Sequence, residues 1–213
     1  MTIKWFGHSC FLITDSKETK LLTDPFNDSI GYPPLNESPD IVTISHHHFD
    51  HDFIKNINCP KENILDTCGQ FNISGISIKG IPSFHDDVHG SKRGKNIIFI
   101  FKMDGLTLCH LGDLGYVLSK EDVQTLGNID VLFIPIGGNY TLNSKNALTL
   151  IKLIKPHVTI PMHYKTPALK FPLDGVDSFL KYVNNVDKIY SNKLTLNTDI
   201  KFLNNQIKIL NYK

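Results

Sequence analysis

The sequence lacks the features that mark membrane-embedded, disulfide-stapled or nucleic-acid-coating proteins. No apolar run in its 213 residues approaches the roughly 18 residues that a membrane span needs. Its four cysteines form no CxxC pair, which argues against a zinc ribbon or a disulfide framework and predicts reduced thiols. The formal net charge is +1, so we expect neither non-specific nucleic-acid binding nor attachment to a membrane surface. No small-residue cleavage site follows the opening "MTIKWFGHSCFLITDSKE", and we therefore expect a cytoplasmic protein.

The composition is that of an ordinary globular protein. Hydrophobic residues make up 41% of the chain and charged residues 20%. No internal repeat, low-complexity tract or linker divides the sequence. The length and these fractions predict a single domain over residues 1–213 with a sizeable core.

The order of the predicted elements favours an α/β (α+β) class. Short β-branched and apolar runs predict strands in the first half, over residues 2–6, 10–14, 20–23, 41–45, 64–66, 73–82, 96–103 and 106–111. Helical patterns are fewer and begin near four residues, Asp50, Ser119, Ser144 and Asp177. The buried strands "VLFIP" and "HVTIP" alternate with the later helices. We expect two packed sheets with helices on the outside.

Four histidines and two aspartates crowd into the stretch "SHHHFDHD", directly after the predicted strand over residues 41–45. Side chains two apart in an extended loop point the same way, so His46 and His48 converge while His47 points away. Asp50 and His51 follow at a predicted helix start and aim at a neighbouring point. Imidazole and carboxylate ligands suit zinc, iron or manganese. The alternative, a histidine-rich surface loop, is disfavoured by the position directly after a buried strand.

Three further candidates stand at other strand ends. His85 follows a strand in "IPSFHDD", and His163 follows one in "IPMHY". Asp113 lies in the turn "HLGDLG", where Gly112 and Gly115 would let the backbone approach a neighbour closely. A single strand-end histidine is more often structural. Together with the first cluster, however, these residues supply the inventory of a two-metal hydrolytic site.

Such a site predicts hydrolysis by a metal-activated water. Two divalent ions would lower the pKa of a bridging water towards about 7, and the resulting hydroxide would attack a carbonyl carbon or a phosphorus atom. Asp50 is the predicted catalytic residue, because it could ligate the metal, orient the water and take up its proton. No serine or cysteine lies in a nucleophile context such as G-x-S-x-G, so covalent catalysis is not expected.

These motifs resemble the metallo-β-lactamase superfamily over nearly the whole chain. The segments "FGHSCFLI", "TDP", "HLGDLG", "PIGG" and "IPMHY" resemble its small lactonase-like branch, related to ascorbate-6-phosphate lactonases. The resemblance implies a four-layer αβ/βα sandwich with the site at one edge. It also implies two metal ions, most simply Zn²⁺, with Mn²⁺ or Fe as alternatives. The implied ligands are His46, His48 and His85 for one ion and Asp50, His51 and His163 for the other, with Asp113 bridging.

Two loops predict an acidic small-molecule substrate. The loop after His85, "HGSKRGKN", carries Arg93, and "PIGGNYTLNSKN" places Gly138 and Tyr140 before a predicted helix N-terminus that favours anions. Lys165 adds a further positive charge. We therefore expect Arg93, Gly138, Tyr140 and Lys165 to bind a small anionic ester, lactone or phosphoester. The alternative is that these loops are merely solvated.

Other functions stay open at this level. A nuclease or phosphodiesterase of the same superfamily is disfavoured by the near-neutral charge and the lack of room for a nucleic-acid-binding domain. A non-hydrolytic di-iron redox protein is disfavoured by His48, where the resembling di-iron branch usually has glutamate. A metal-binding protein without catalysis is the remaining option, and a homo-oligomer is left open. Among the other histidines, His110 is expected to be structural, His89 competes with His85, and His8 could reach the site rim or pack in the core.

Overall fold

Two β-sheets, described over residues 1–212 in a computed structural model, form the framework of the protein. The first sheet contains six strands, in chain order β1 (Thr2–Gly7), β2 (Cys10–Thr14), β3 (Lys20–Thr23), β4 (Ile41–Thr43), β5 (Ile64–Leu65) and β13 (Lys193–Thr195). Their spatial order is β13-β1-β2-β3-β4-β5. Strand β2 runs antiparallel to both β1 and β3, whereas β3, β4 and β5 are parallel.

The second sheet contains eight strands, which are β6 (Gly69–Ile73), β7 (Ile76–Phe84), β8 (Lys95–Met103), β9 (Leu106–His110), β10 (Val131–Pro135), β11 (Val158–Met162), β12 (Val186–Ile189) and β14 (Gln206–Leu210). Their spatial order is β12-β14-β11-β10-β9-β8-β7-β6. Strands β6 to β9 follow one another as antiparallel hairpins. The remaining pairs, from β9 through to β12, are parallel.

Three α-helices join the parallel part of the chain, α1 (Lys120–Leu126), α2 (Ser144–Ile154) and α3 (Val176–Leu180). Ser119 caps α1 in a capping box with Asp122, and Gly127 follows its last turn, as the sequence "SKEDVQTLG" predicts. Short 3-10 turns occur at Asp28–Ile30, Lys61–Asn63 and Thr198–Phe202. Within residues 1–212, no helix is both long and apolar enough to cross a bilayer.

Alternation along the strands of the first sheet sends side chains into two apolar layers. In β2, Phe11 and Ile13 join the main core, while Cys10 and Leu12 join a smaller cluster on the opposite face. Phe11 lies between the sheets, with its ring centroid 4.6 Å from that of Phe133 on β10. The two sheets thus share one buried core, which confirms the predicted α/β (α+β) sandwich.

The outer face of the first sheet is covered mainly by irregular chain. Phe26, Ile30 and Tyr32, from the long β3–β4 connection, pack against it together with Leu169. The helices α1 and α2 contribute to the other cluster, which contains the second sheet. The sandwich is therefore asymmetric, because regular helices cover one sheet and loops with short 3-10 turns cover the other.

One hairpin differs from the sequence-based prediction. The single strand predicted over residues 73–82 is the β6–β7 hairpin, because Ser74 and Gly75 take φ values of 52° and 80° and reverse the chain. The sequence "MDG" is a hairpin signal of the Asp-Gly type, and it joins β8 and β9, where Asp104 and Gly105 also have positive φ. The sequence patterns predict no strand after residue 161, whereas β12, β13 and β14 form there.

The helix predicted near Asp50 is a single turn. The backbone N–H groups of His51 and Asp52 both donate to the carbonyl of His48, at 2.8 and 3.0 Å. The next residue, Phe53, turns back and donates to the carbonyl of Pro25 at 2.8 Å. The prediction of a helix was wrong because this pairing with a distant segment ends the turn before a helix can propagate.

The Phe11 side chain offers a test of the inter-sheet core. Truncating it in Phe11→Ala removes a fully buried ring, and we expect the free energy of unfolding to fall by about 3–5 kcal/mol. Phe202→Ala is the matched control, because this ring is 90% exposed, and it should change the value by less than about 0.5 kcal/mol. Chemical denaturation measures both variants, and equal losses would contradict the packing described.

Candidate metal centre

Six strands, three from each sheet, end at one edge of the sandwich. Strands β1, β3 and β4 run in one direction in the first sheet, as do β7, β9 and β11 in the second. The side chains that follow these strands are His8, Asp24, His46, His85, Asp113 and His163. The two edges meet directly, because the backbone N–H of His163 donates to the carbonyl of His8 at 3.1 Å.

Asp113 lies at the centre of this edge. Its Oδ2 is 3.1 Å from Nε2 of His85 and 3.1 Å from Nε2 of His163. Its Oδ1 is 3.3 Å from Nε2 of His51, and Nε2 of His46 lies 3.9 Å from Oδ2. Four histidines from three separate segments therefore converge on one carboxylate.

The atoms that could bind metal fall into three overlapping groups, in each of which all atoms lie within 4.8 Å of one another. The groups are His46, His48 and His85, then His46, His51 and Asp113, and finally His8, Asp50, His51 and His163. The structure thus brings together all seven side chains that the sequence motifs single out. It adds one histidine, His8, which those motifs leave undecided.

The cluster is rich in buried negative charge. Burial raises the pKa of Asp113, but His163 and His51 outweigh it and hold the pKa well below its usual range. Burial also opposes charge on His51, yet the carboxylates of Asp113 and Asp50 raise the pKa of His51 well above its usual range. Both shifts have the same cause, the mutual attraction between carboxylates and imidazoles that are buried together.

Several buried polar atoms of the cluster lack a hydrogen-bond partner among residues 1–212. These atoms include Nε2 of His46, Nε2 of His51 and Oδ1 of Asp113. An unsatisfied buried donor or acceptor costs about 1–3 kcal/mol, so native structures rarely leave one. Imidazole nitrogens and carboxylate oxygens facing one point are the donors that divalent transition metals bind. The residues therefore fit such ions.

Comparison with known proteins agrees with this chemistry. A model of the beta-lactamase superfamily domain matches residues 2–163. A UPF0173 metal-dependent hydrolase of Thermoplasma acidophilum is 31% identical over 191 residues, 78% of this chain and 84% of that protein. Another, of Archaeoglobus fulgidus, is 32% identical over 205 residues, 81% and 85% of the two chains. The chain belongs to the beta-lactamase superfamily.

A crystal structure from Thermotoga maritima extends the match to the whole fold. That protein, provisionally assigned as a Zn-dependent hydrolase of the metallo-beta-lactamase superfamily, is 38% identical, with a TM-score of 0.80 and 99% coverage of both chains. These similarities confirm the superfamily and the fold expected from the motifs, and they make the chain a metal-dependent hydrolase.

Asp24 orients two histidines of the hydrolase, a role that the sequence motifs do not reveal. Its Oδ2 accepts from Nδ1 of His51 at 2.9 Å and from Oγ of Ser45 at 2.6 Å. Since the Ser45 hydroxyl donates to Asp24, its oxygen accepts from Nδ1 of His46 at 2.9 Å. Each imidazole then presents the lone pair of Nε2 to the cluster. The only sequence signal was "TDP" at the end of β3.

Asn96 positions the backbone of the turn that carries Asp113. Its Oδ1 accepts from the N–H of Asp113 at 2.9 Å, and its Nδ2 donates to the carbonyl of Leu111 at 2.9 Å. A Cβ on Gly112 would lie 2.4 Å from Asn96 Oδ1, and one on Gly115 would lie 2.5 Å from the His85 carbonyl carbon. The predicted need for close approach at both glycines is confirmed.

Three other histidines lie outside the cluster. His110 is buried and structural, as expected, because Nε2 contacts the carbonyl of Ser9 at 2.9 Å and Nδ1 accepts from Gly112. His47 is exposed and lies 3.4 Å from Asp52, so it faces away from the cluster. His89 is exposed and packs by its edge on Phe84, which leaves His85 as the histidine of that loop that reaches the site.

A cavity of about 360 Å³ opens onto the cluster. It is lined by His48, Phe49, Asp50, His85, Arg93, Asp113, Tyr140, His163 and Phe171. Two of the four expected substrate-binding residues, Arg93 and Tyr140, are thus at the cavity, where the guanidinium lies 5.3 Å from the ring centroid. A volume of this size is typical of sites for small molecules.

The other two expected substrate-binding residues are placed differently. The ammonium group of Lys165 donates to the backbone carbonyls of Leu169 and Phe171, so it is turned away from the cavity and holds the segment that carries Phe171. The N–H of Gly138 donates to the carbonyl of Leu142 at 3.0 Å and is therefore not free for an anion. The N-terminus of α2 borders a separate cavity beside the carboxylate of Asp174. Neither Gly138 nor Lys165 lines the cavity beside the cluster, and their role in substrate binding stays a prediction.

Asp86 fixes the loop that delivers Arg93. Its Oδ1 accepts from the N–H groups of Val88 and Gly90, and its Oδ2 accepts from those of Lys92 and Arg93, at 2.7–2.9 Å. Burial raises the pKa of Asp86, but these four bonds outweigh it and lower the pKa to about 2. The loop after His85 is therefore held in one conformation by a single carboxylate.

The contacts of Asp24 generate a prediction. Asp24→Asn removes the charge that orients His51, so metal affinity should fall by roughly 10–100-fold. Competition with a chromophoric chelator measures the affinity of the purified protein for Zn²⁺. Asp187→Asn, on the distant edge strand β12, serves as control and should bind as the wild type does. Unchanged affinity in Asp24→Asn would contradict the orienting role.

Proposed function

We propose that this hydrolase uses two divalent ions to cleave a small anionic ester, lactone or phosphoester with water. The observation that carries the proposal is the placement of two ligand groups around Asp113, beside a cavity that Arg93 lines. The first group is His46, His48 and His85, and the second contains Asp50, His51 and His163. Zn²⁺ suits these donors and is the metal named for the Thermotoga maritima relative, while Mn²⁺ or Fe is compatible with them.

When bound, the two ions supply an activated water and stabilise the negative charge that develops on the substrate. Asp50 lines the cavity and would hold and orient that water. Burial raises the pKa of Asp50, but His51 and His8 outweigh it and hold the pKa below its usual range.

The cavity wall supports an anionic substrate with an apolar part. Arg93 contacts the carbonyl of Asn139 at 3.2 Å and the ring of Tyr140, both of which are neutral, so its charge is not neutralised by these partners. Phe49 and Phe171 also line the cavity and pack edge to face, with their ring centroids 6.1 Å apart. A guanidinium presents paired donors that suit a phosphate or a carboxylate. The substrate would therefore place its anionic group at Arg93 and its scissile bond at Asp113.

The first test separates cluster residues from a neighbouring histidine. Asp113→Ala and Asp50→Asn should each lower hydrolysis by more than the roughly 10–100-fold typical of an outer-sphere change. His47→Ala should remain nearly as active as the wild type, because its side chain is 65% exposed. We would measure kcat/KM on a panel of lactones and phosphodiesters at saturating Zn²⁺. An equal loss in His47→Ala would contradict the arrangement of the loop.

The second test concerns substrate charge. The wild type should prefer a phosphorylated substrate over its neutral counterpart, and Arg93→Ala should reduce that preference by about 10-fold or more, since a hydrogen bond to a charged group contributes about 1.5–3 kcal/mol. Lys92→Ala is the matched control, because the adjacent side chain is 63% exposed and its backbone has the same anchor, Asp86. The measurement is the ratio of kcat/KM values. A wild type indifferent to charge, or an unchanged ratio in Arg93→Ala, would refute the substrate class.

A further inference from the structure

His8 stands outside the ligand set that the motifs imply, yet it lies inside the cluster. Its side chain is completely buried, and it belongs to the group of atoms that also contains Asp50, His51 and His163. The ring centroid of His8 is 4.1 Å from that of His163 and 5.0 Å from that of His51. A histidine that only filled core space would have no reason to face a carboxylate and two other imidazoles.

The backbone around His8 is held in a special conformation. His8 has a φ of 53°, in the left-handed region that disfavours residues with a Cβ, and it follows Gly7, whose φ is 110°. The carbonyl of His8 accepts from Nε1 of Trp5 and from the N–H of His163, both at 3.1 Å. These bonds tie the β1–β2 turn to the end of β11. Strain of this kind persists at sites where the surrounding structure requires it.

The spacing of His8 matches that of the other candidate ligands. Its Nε2 lies 3.1 Å from Oδ2 of Asp50. The separations of His85 and His163 from Asp113 are also 3.1 Å. Two neighbouring ligand atoms on one Zn²⁺ ion, each about 2.0–2.1 Å from it, are separated by about 2.9–3.4 Å, depending on the angle between them. The His8–Asp50 pair therefore has the dimension of an edge of such a coordination sphere.

We propose that His8 is an additional metal ligand, which completes the second position as His8, Asp50, His51 and His163. The inference rests on the proposed two-metal function. It distinguishes the two positions, because the second would receive four protein ligands besides the shared Asp113, while the first receives three histidines. The first position is also nearer to solvent, because His48 is exposed, whereas all four residues of the second group are buried. The second position should then hold its ion more tightly.

The test compares Zn²⁺ and Co²⁺ binding in the full-length protein and two variants. In His8→Gln, the glutamine side chain is about as long as that of histidine, and its amide can still donate to Asp50, but the imidazole is absent. His8→Gly suits the positive φ and leaves room for added imidazole. His47→Ala, which removes a nearby exposed histidine, is the control. Circular dichroism in the presence of EDTA checks that each variant folds, and the ion content after gel filtration is measured by mass spectrometry.

We expect the tighter Zn²⁺ site of the wild type to weaken by more than about 100-fold in both His8 variants, beyond the range of an outer-sphere change. The Co²⁺-loaded variants should show one paramagnetically shifted imidazole signal fewer than the wild type in proton NMR spectra. Added imidazole should restore the lost ion in His8→Gly, and His47→Ala should behave as the wild type does. An unchanged signal number, or wild-type Zn²⁺ affinity in His8→Gln, would overturn the inference.

The outcomes separate this inference from the proposed function. Two Zn²⁺ ions that are retained in both His8 variants, together with wild-type hydrolysis, would refute the role of His8 alone. Loss of one ion in those variants would support that role even if the wild type hydrolysed no anionic substrate. If the wild type bound a single ion, loss of that ion in His8→Gln would support His8 as a ligand, and its retention would refute that role.

Discussion

Three carboxylates, those of Asp24, Asp50 and Asp113, are buried among histidines at the edge where the two sheets meet. Carboxylates leave water only where opposite charge or several donors compensate for the lost hydration. The raised pKa of His51 shows that these carboxylates attract positive charge. Among residues 1–212, Nε2 of His46 and Nε2 of His51 have no hydrogen-bond partner. A bound divalent metal would satisfy both, and the surrounding turns hold the cluster residues in the positions described.

The sandwich meets this requirement by ending six strands at the same edge and turning the chain sharply after several of them. His8, Asp24 and His163 all have positive φ, at 53°, 39° and 50°. Such residues cost on the order of 1–3 kcal/mol each, so the buried core and the bonds between turns must hold them in place. Hydrogen bonds such as that from His163 to His8 join the turns of different sheets. The geometry of the site thus depends on the packing of the whole sandwich.

Substrate recognition depends on a different kind of support. The loop after His85 contains no regular structure, yet the four backbone bonds to Asp86 give it a defined shape and carry Arg93 to the cavity. Another part of the wall is held by the ammonium group of Lys165 through the segment of Phe171. A positive side chain can therefore either face the cavity or support its wall, and only its neighbours determine which.

Local chemistry was sufficient to predict much of this protein. Alternating strands, the helix start at Ser119 and the Asp-Gly turn each depend on neighbours within a few residues, and the structure contains all of them. The structure also brings the histidines and the aspartate singled out in "SHHHFDHD" together. The sandwich fold was predicted from the resemblance of these motifs to the metallo-β-lactamase superfamily. Asp24, Asn96 and His8 could not be identified in this way, because their partners lie 17 to 42 residues away in the chain. The local partners of Lys165 and Gly138 could not be predicted either, and short-range bonds to backbone carbonyls occupy their donors. Which polar groups are left free, and which are already paired, is decided only when the folded chain brings distant segments into contact.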